Sequence, residues 1–191
     1  MISIIADGVN RSASSAPDKI AHARGLCDKG SWKEALAFAR DWSAKEPTAS
    51  KALFFQGVAL AAMGRYVEAE TCYRRALKLD ENDFKAWNNL AGVLFDSLNK
   101  PMDGLHCMER ALKLEPRNKL GWSNLAGMVG QMGRHEKALE FAGRALALDP
   151  QFVEALLHKA AAAKELGRME IVREVSLTLA SIEADRFRRG A

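Results

Sequence analysis

The sequence has few of the residues that build redox, metal or disulfide sites. Among its 191 residues are only three cysteines, Cys27, Cys72 and Cys107, and no two of them stand in a C-x-x-C spacing. An odd number of widely spaced cysteines argues against a disulfide framework and against a zinc knuckle. The four histidines are also dispersed, without the spacing of metal ligands. We therefore expect no metal and no cofactor, and a reducing, cytoplasmic location.

Long apolar runs and blocks of one charge are also missing. No stretch approaches the roughly 18 apolar residues that a membrane span requires. The start, Met1 to Ala6, has no basic flank and only a short apolar stretch before Asp7, unlike a secretion signal. The net charge is +4, but Lys and Arg are mixed with Asp and Glu instead of forming a basic stripe. We expect neither membrane insertion nor nucleic-acid binding.

A catalytic constellation is missing as well. Catalysis needs a nucleophile, a base and usually an orienting group within hydrogen-bond reach of one another. His106 and Cys107 are adjacent, but consecutive residues on a helix point about 100° apart. No glycine-rich phosphate loop is present either. The sequence therefore predicts that the chain is not an enzyme.

What the sequence does contain is a repeat. Three sets of residues recur in phase, at intervals of 34 or 35 residues, or at multiples of them. They are Arg-Ala-Leu at Arg75, Arg110 and Arg144, Trp-x-x-Leu-Ala at Trp87 and Trp122, and a Gly-x-x-x-x-Ala signature at Gly30, Gly64 and Gly133. Periods of this length are typical of solenoids built from helix pairs.

These residues resemble the tetratricopeptide repeat, in which small residues lie where paired helices touch and proline follows the second helix. The resemblance implies an all-α, right-handed α-solenoid of about five helix pairs. We place the repeats at 16–49, 50–83, 84–118, 119–152 and 153–187, within one solenoid domain over 16–191. Residues 1–15 have no helical period, so we expect them to form a flexible leader.

Two irregular features modify this pattern. The third repeat has one extra residue, which we place in the turn 98–101, and it has Gly104 where alanine is usual. The last helix is expected to continue past the normal repeat length and to act as a cap, because its apolar residues keep a helical spacing. Those residues are Ile171, Val175, Leu179 and Ile182.

The resemblance also implies that the first helix of each pair lines a concave face, with defined positions pointing into a groove. The candidate partner-binding residues are Ile20, Arg24, Phe54, Phe55, Val58, Lys85, Asn88, Asn89, Phe95, Ser123, Asn124, Gln131, Leu157 and His158. We expect at least one of Phe54 and Phe55 to face the groove as an apolar anchor. Asn89 and Asn124 are similar to the asparagine ladder of the repeat domain in O-linked N-acetylglucosamine transferases, and an amide can bond a peptide backbone.

The function that follows is a protein–protein interaction scaffold or chaperone-like adaptor that binds a protein or peptide segment in the groove. Two alternatives stay open, namely a chaperone of type III secretion translocators and a regulatory subunit of an enzyme complex. Self-association also stays open. A carboxylate clamp for the tails of heat-shock chaperones is not expected, because its basic and amide positions carry residues such as Phe54, Val58 and Leu120.

Overall fold

The chain folds into a row of helix pairs. The computed structural model describes residues 15–190, with side chains up to residue 188, and within that range it contains ten α-helices and one π-helical segment but no strand. The helices are α1 Ala16–Asp28, α2 Trp32–Lys45, α3 Ser50–Ala62, α4 Tyr66–Leu79, α5 Phe84–Gly92 continued by the π-helical segment Val93–Ser97, α6 Pro101–Leu114, α7 Lys119–Gln131, α8 His135–Leu148, α9 Val153–Glu165 and α10 Met169–Gly190. The expected all-α solenoid is confirmed. The expected leader lies outside the described residues except for Ser15, which caps α1.

Three-residue turns join the two helices of each pair, and each turn contains one residue in the left-handed conformation. Glycine serves in four of these turns, since it adopts a positive φ without strain. They are Gly30, Gly64, Gly133 and Gly167, with φ between +70° and +75°. In the third pair Asn99 takes this place with φ of +52°, and asparagine is among the few other residues that tolerate it.

The extra residue of the third repeat lies in a helix, so its expected position in the turn is wrong. After the turn of the second pair, the Arg65 N–H donates to the Leu60 carbonyl, five residues back. The equivalent Lys100 N–H donates to the Leu94 carbonyl at 2.9 Å, six residues back. The added residue is taken up in the π-helical segment Val93–Ser97, which a single insertion in a helix commonly produces.

Small residues allow the two helices of a pair to approach closely. Ala91 and Ala126 are buried, and Gly57 lies under the ring of Tyr73. A Cβ atom at Gly57 would lie 2.6 Å from that ring. Gly104 in α6 is equally confined, because a Cβ there would lie 3.0 Å from the backbone oxygen of Ala91. The packing role that the repeat pattern gives to these positions is therefore observed.

Ion pairs connect successive helix pairs along one edge of the stack. Each joins the first turn of a first helix to the segment that leads from its second helix into the next pair. The pairs are Lys19–Glu46, Lys51–Asp83 at 2.7 Å and Lys119–Asp149 at 2.5 Å. Because these contacts recur at the same place, the first helices begin at the same edge of the stack.

Asp83→Ala is expected to lower the free energy of unfolding by about 1–2 kcal/mol, the usual effect of losing an N-cap. The buried Asp83 carboxylate accepts hydrogen bonds from the backbone N–H groups of Lys85 at 3.1 Å and Ala86 at 3.3 Å, and it also pairs with Lys51. Urea denaturation of wild type and variant measures the change. Asp83→Asn retains the cap and should be the milder substitution; equal destabilisation by both would contradict the capping role.

Candidate partner-binding face

A cavity of about 430 Å³ opens where α3, α5 and α7 lie side by side. We call it the central cavity. Its wall combines aromatic rings, an aliphatic side chain, amides and one cation. The lining residues are Phe54, Phe84, Lys85, Asn88, Asn89, Asn118 and Leu120. Such a mixture of apolar surface and a few polar groups is usual in binding sites.

Only one of the two adjacent phenylalanines faces this cavity. The ring of Phe54 is partly buried, with its centroid 5.2 Å from that of Phe55 and 6.1 Å from that of Tyr73. Phe55 is only 6% exposed and packs in a cluster with Ala23 and Trp42. The expectation that Phe55 is a groove residue is therefore wrong, because neighbours on a helix point in different directions and the core takes this one.

Ser123 and Phe95 also differ from the expectation. Ser123 is fully buried, so its small side chain does not reach the surface, and its hydroxyl has no hydrogen-bond partner among the described residues. Phe95 is partly buried in the π-helical segment and lies against Gly104 of α6. The extra residue of this repeat changes the register of the last helical turn, which directs Phe95 to the helix-pair interface.

Three asparagines form a chain that leads from the wall of the central cavity to the next cavity along the face. Asn124 donates to the side-chain oxygen of Asn88, and Asn88 donates to that of Asn89, both at 3.4 Å. These bonds are long and therefore weak. Burial raises the pKa of the Tyr73 hydroxyl, and the neighbouring Asn89 amide partly opposes that shift. Asn89 and Asn124, which the repeat pattern places in one row, are therefore linked only through Asn88.

Two further cavities, of about 490 and 190 Å³, lie farther along the same face, where Gly127, Gln131 and His158 line both. The imidazole of His158 packs on Gly127, where a Cβ atom would lie 2.8 Å from the ring. Burial lowers the pKa of His158, and Glu154 opposes the shift more weakly. This shift favours the neutral form of the imidazole. Gln131 is exposed, and Leu157, which precedes His158 in α9, is 53% exposed.

The remaining predicted residues lie on α1 and α3. Val58 is partly buried, and Ile20 packs against the cluster that contains Phe55. Arg24 is exposed. Sequence reasoning missed Phe84 and Asn118, which line the central cavity although they stand at helix starts. Asn118 caps α7 by accepting a hydrogen bond from the Gly121 N–H at 3.1 Å, and its cap position was the signal that could have located it.

The recurring Trp and Arg residues have a structural role. The indole N–H of Trp122 donates to the Pro116 carbonyl at 2.8 Å, and the Arg144 guanidinium lies 4.7 Å from the ring centre. Trp87 repeats the arrangement with Glu81 and Arg110 in the preceding repeat. Cation–π contacts of this kind stabilise modestly. The recurring Trp and Arg residues therefore stabilise the packing of the repeats and are not candidates for partner binding.

The three thiols are free and are not activated. Burial is the main cause that raises the pKa of each, in the case of Cys107 to about 11. A nucleophilic cysteine would need the opposite shift. Over the part of the chain that the structure describes, no group of three potential metal ligands comes together, and no helix is long and apolar enough to cross a membrane.

The sequence matches two profiles of the tetratricopeptide repeat, at residues 50–83 and 89–151, which together cover about half of the chain. The chain belongs to the tetratricopeptide-repeat family, as the residue pattern predicted. The family's fold is in general a protein-interaction scaffold, and its members are generally not enzymes. No curated protein matches the chain.

Solved structures of several repeat proteins share the fold. A MamA fragment from Desulfovibrio magneticus RS-1 is 24% identical, with a TM-score of 0.69 over 88% of this chain and 96% of its own. PilF of Pseudomonas aeruginosa is 20% identical, with a TM-score of 0.79 over 86% and 75%. YrrB, described as a repeat protein with an unusual peptide-binding site, is 20% identical, with a TM-score of 0.69 over 91% and 89%. At these identities the likeness concerns the fold alone.

Proposed function

We propose that the chain is a chaperone-like adaptor that binds an extended segment of a partner protein along the face formed by α3, α5, α7 and α9. The observation that carries the proposal is the central cavity, which places the half-buried ring of Phe54 beside Asn88 and Asn89. Asn124, bonded to Asn88, continues the polar row into the next cavity. Phe54 would serve as an apolar anchor, and the amides would hold the peptide backbone. The two cavities between α7 and α9 would receive the following part of the segment.

The energetics of the face support this assignment. Aromatic residues in desolvated pockets are among the common hot spots of interfaces. Amides that hold each other through 3.4 Å bonds lose little when they exchange those bonds for shorter ones to a peptide. Because amides donate and accept, they bind a backbone largely independently of the partner's side chains.

Phe54→Ala should weaken partner binding by about 2 kcal/mol, roughly a 30-fold change in Kd. The double variant Asn88→Ala, Asn124→Ala should lose about 1–3 kcal/mol, the net value of two ordinary hydrogen bonds. A partner is first isolated by pull-down with the full chain, and its affinity is then measured by calorimetry. Phe187→Ala is the matched control, because that ring is 80% exposed on α10, away from the proposed face. If the Phe54 and asparagine variants fold and bind the partner with unchanged affinity, the partner binds at another surface of the chain.

We also place this function in the cytoplasm. The support is chemical, since the three cysteines are all free and Cys72 and Cys107 are buried. Free buried thiols suit a reducing compartment. The chain would act there through binding alone.

A further inference from the structure

The lysines at the starts of α3 and α5 occupy equivalent positions but have different surroundings. Lys51 is the second residue of α3 and pairs with Asp83, the residue immediately before α5. Lys85 is the second residue of α5, and the residue immediately before α7 is Asn118. The position that holds the Asp83 carboxylate for Lys51 holds the neutral amide of Asn118 for Lys85. Lys85 accordingly makes no ion pair with any residue between 15 and 188.

The ammonium of Lys85 lies beside apolar surface. Lys85 lines the central cavity, and its Nζ atom is 5.8 Å from the centre of the Phe84 ring. Phe54 and Leu120 form further apolar wall, and Leu120 is 46% exposed. Lys85 is itself exposed, so its ammonium is available to a carboxylate of a bound segment, and their attraction strengthens as the bound segment excludes water. Asn88 and Asn118 supply N–H donors nearby that a carboxylate can also use.

The face continues on both sides of the central cavity. Ile20 and Arg24 of α1 lie toward the start of the stack, while Gln131 of α7 and His158 of α9 lie toward its end. A bound chain can therefore pass through the cavity without ending in it. The carboxylate that fits here is an Asp or Glu side chain in the interior of a segment, rather than a chain terminus.

We propose that the central cavity selects a partner segment in which an Asp or Glu lies within about three residues of a large aliphatic residue. The carboxylate pairs with Lys85, and the aliphatic side chain lies among Phe54, Phe84 and Leu120. This inference rests on the proposed function, since it names the kind of segment that the same face binds.

The test is selection from a random-peptide display library on the immobilised full chain, run in parallel with the Lys85→Gln and Lys137→Gln variants. Lys137 is exposed on α8, outside this face, and is the matched control. Peptides selected by wild type and by Lys137→Gln should be enriched in an acid next to Ile, Leu, Val or Met. Lys85→Gln should lose the acidic preference, and Lys85→Glu should replace it with a preference for Lys or Arg. Leu120→Ser should weaken the aliphatic preference.

The best selected peptide is then synthesised with both ends blocked, and its binding is measured by fluorescence anisotropy. Changing its acid to the corresponding amide should weaken binding to wild type about tenfold, as expected for a charge-assisted hydrogen bond, and should change binding to Lys85→Gln little. Thermal melts of each variant establish that it is folded.

Several results would overturn the inference. They are selection of no peptide, selection without acidic residues, an unchanged preference in folded Lys85→Gln, or binding that needs a free terminal carboxylate. The proposed function has a separate readout in its natural partner. If that partner is lost with Phe54→Ala but keeps full affinity for Lys85→Gln, the face binds the partner and only the acidic–aliphatic selectivity is wrong.

Discussion

Removal of residues 153–191 should lower the free energy of unfolding by roughly 3–5 kcal/mol and still leave a folded fragment, because repeat proteins are stabilised by the sum of nearest-neighbour terms. The deletion removes α9 and α10, including the buried residues Leu156, Val175 and Ile182. It also exposes Leu146 of α8, which packs against them. Circular dichroism during urea denaturation measures both the helical content and the midpoint.

A shorter deletion is the control for this truncation. Removing only residues 183–191 leaves Ile182, the last buried apolar residue of α10, in place. The residues from 183 to 188 are exposed or only partly buried, so their loss should change the free energy of unfolding by less than about 0.5 kcal/mol. An unfolded 1–152 fragment would show that the stack folds only as a whole, contrary to the nearest-neighbour account.

Gly104→Ala should destabilise the chain by about 3 kcal/mol, near the upper end for overpacking a close contact. A Cβ atom there would lie 2.9 Å from the Cβ of Phe95, 3.1 Å from its backbone nitrogen and 3.0 Å from the Ala91 oxygen. Backbone atoms cannot turn away as the end of a long side chain can. The π-helical segment must therefore shift, and thermal and urea denaturation should both show the loss.

Gly143→Ala provides the opposite expectation on an equivalent helix. Gly143 is exposed within α8, and a Cβ atom there would meet nothing within 4 Å. Alanine should therefore stabilise by about 0.5–1 kcal/mol through its higher helix propensity. A Gly104→Ala variant as stable as Gly143→Ala would mean that α5 and α6 are not in close contact.

The repeat period was sufficient to predict the fold, because each recurring residue makes a contact that every helix pair needs. The indole of Trp122, the small Ala126 and the turn at Gly133 recur for packing reasons. The inserted residue of the third repeat could not be placed from the sequence. An extra residue can lengthen a turn or widen a helix. Here the turn keeps three residues, and the Leu98 N–H bonds the Val93 carbonyl five residues back, so the residue widens the helix.

The candidate face was predicted less well than the fold. Helical spacing shows that either Phe54 or Phe55 can face the groove, but which one the core takes depends on the shape of the cluster around Trp42. Burial of Ser123 has no counterpart in the repeat pattern. The sequence also did not show that Lys85 has no ion-pair partner among residues 15–188. That difference appears only once Lys51 is found to pair with Asp83, a residue 32 positions away.

The common starting edge of the first helices has an electrostatic consequence. Each α-helix has a macrodipole with its positive end at the N-terminus, equivalent to about half an elementary charge. Since α3, α5 and α7 begin at one edge, those positive ends lie close together there, next to Phe84, Lys85 and Leu120 of the central cavity. In the proposed binding mode their potential would add to that of Lys85 and favour the approach of an acidic segment, although the Asp83 carboxylate that caps α5 offsets part of it. Such steering acts mainly on the association rate and weakens as ionic strength rises.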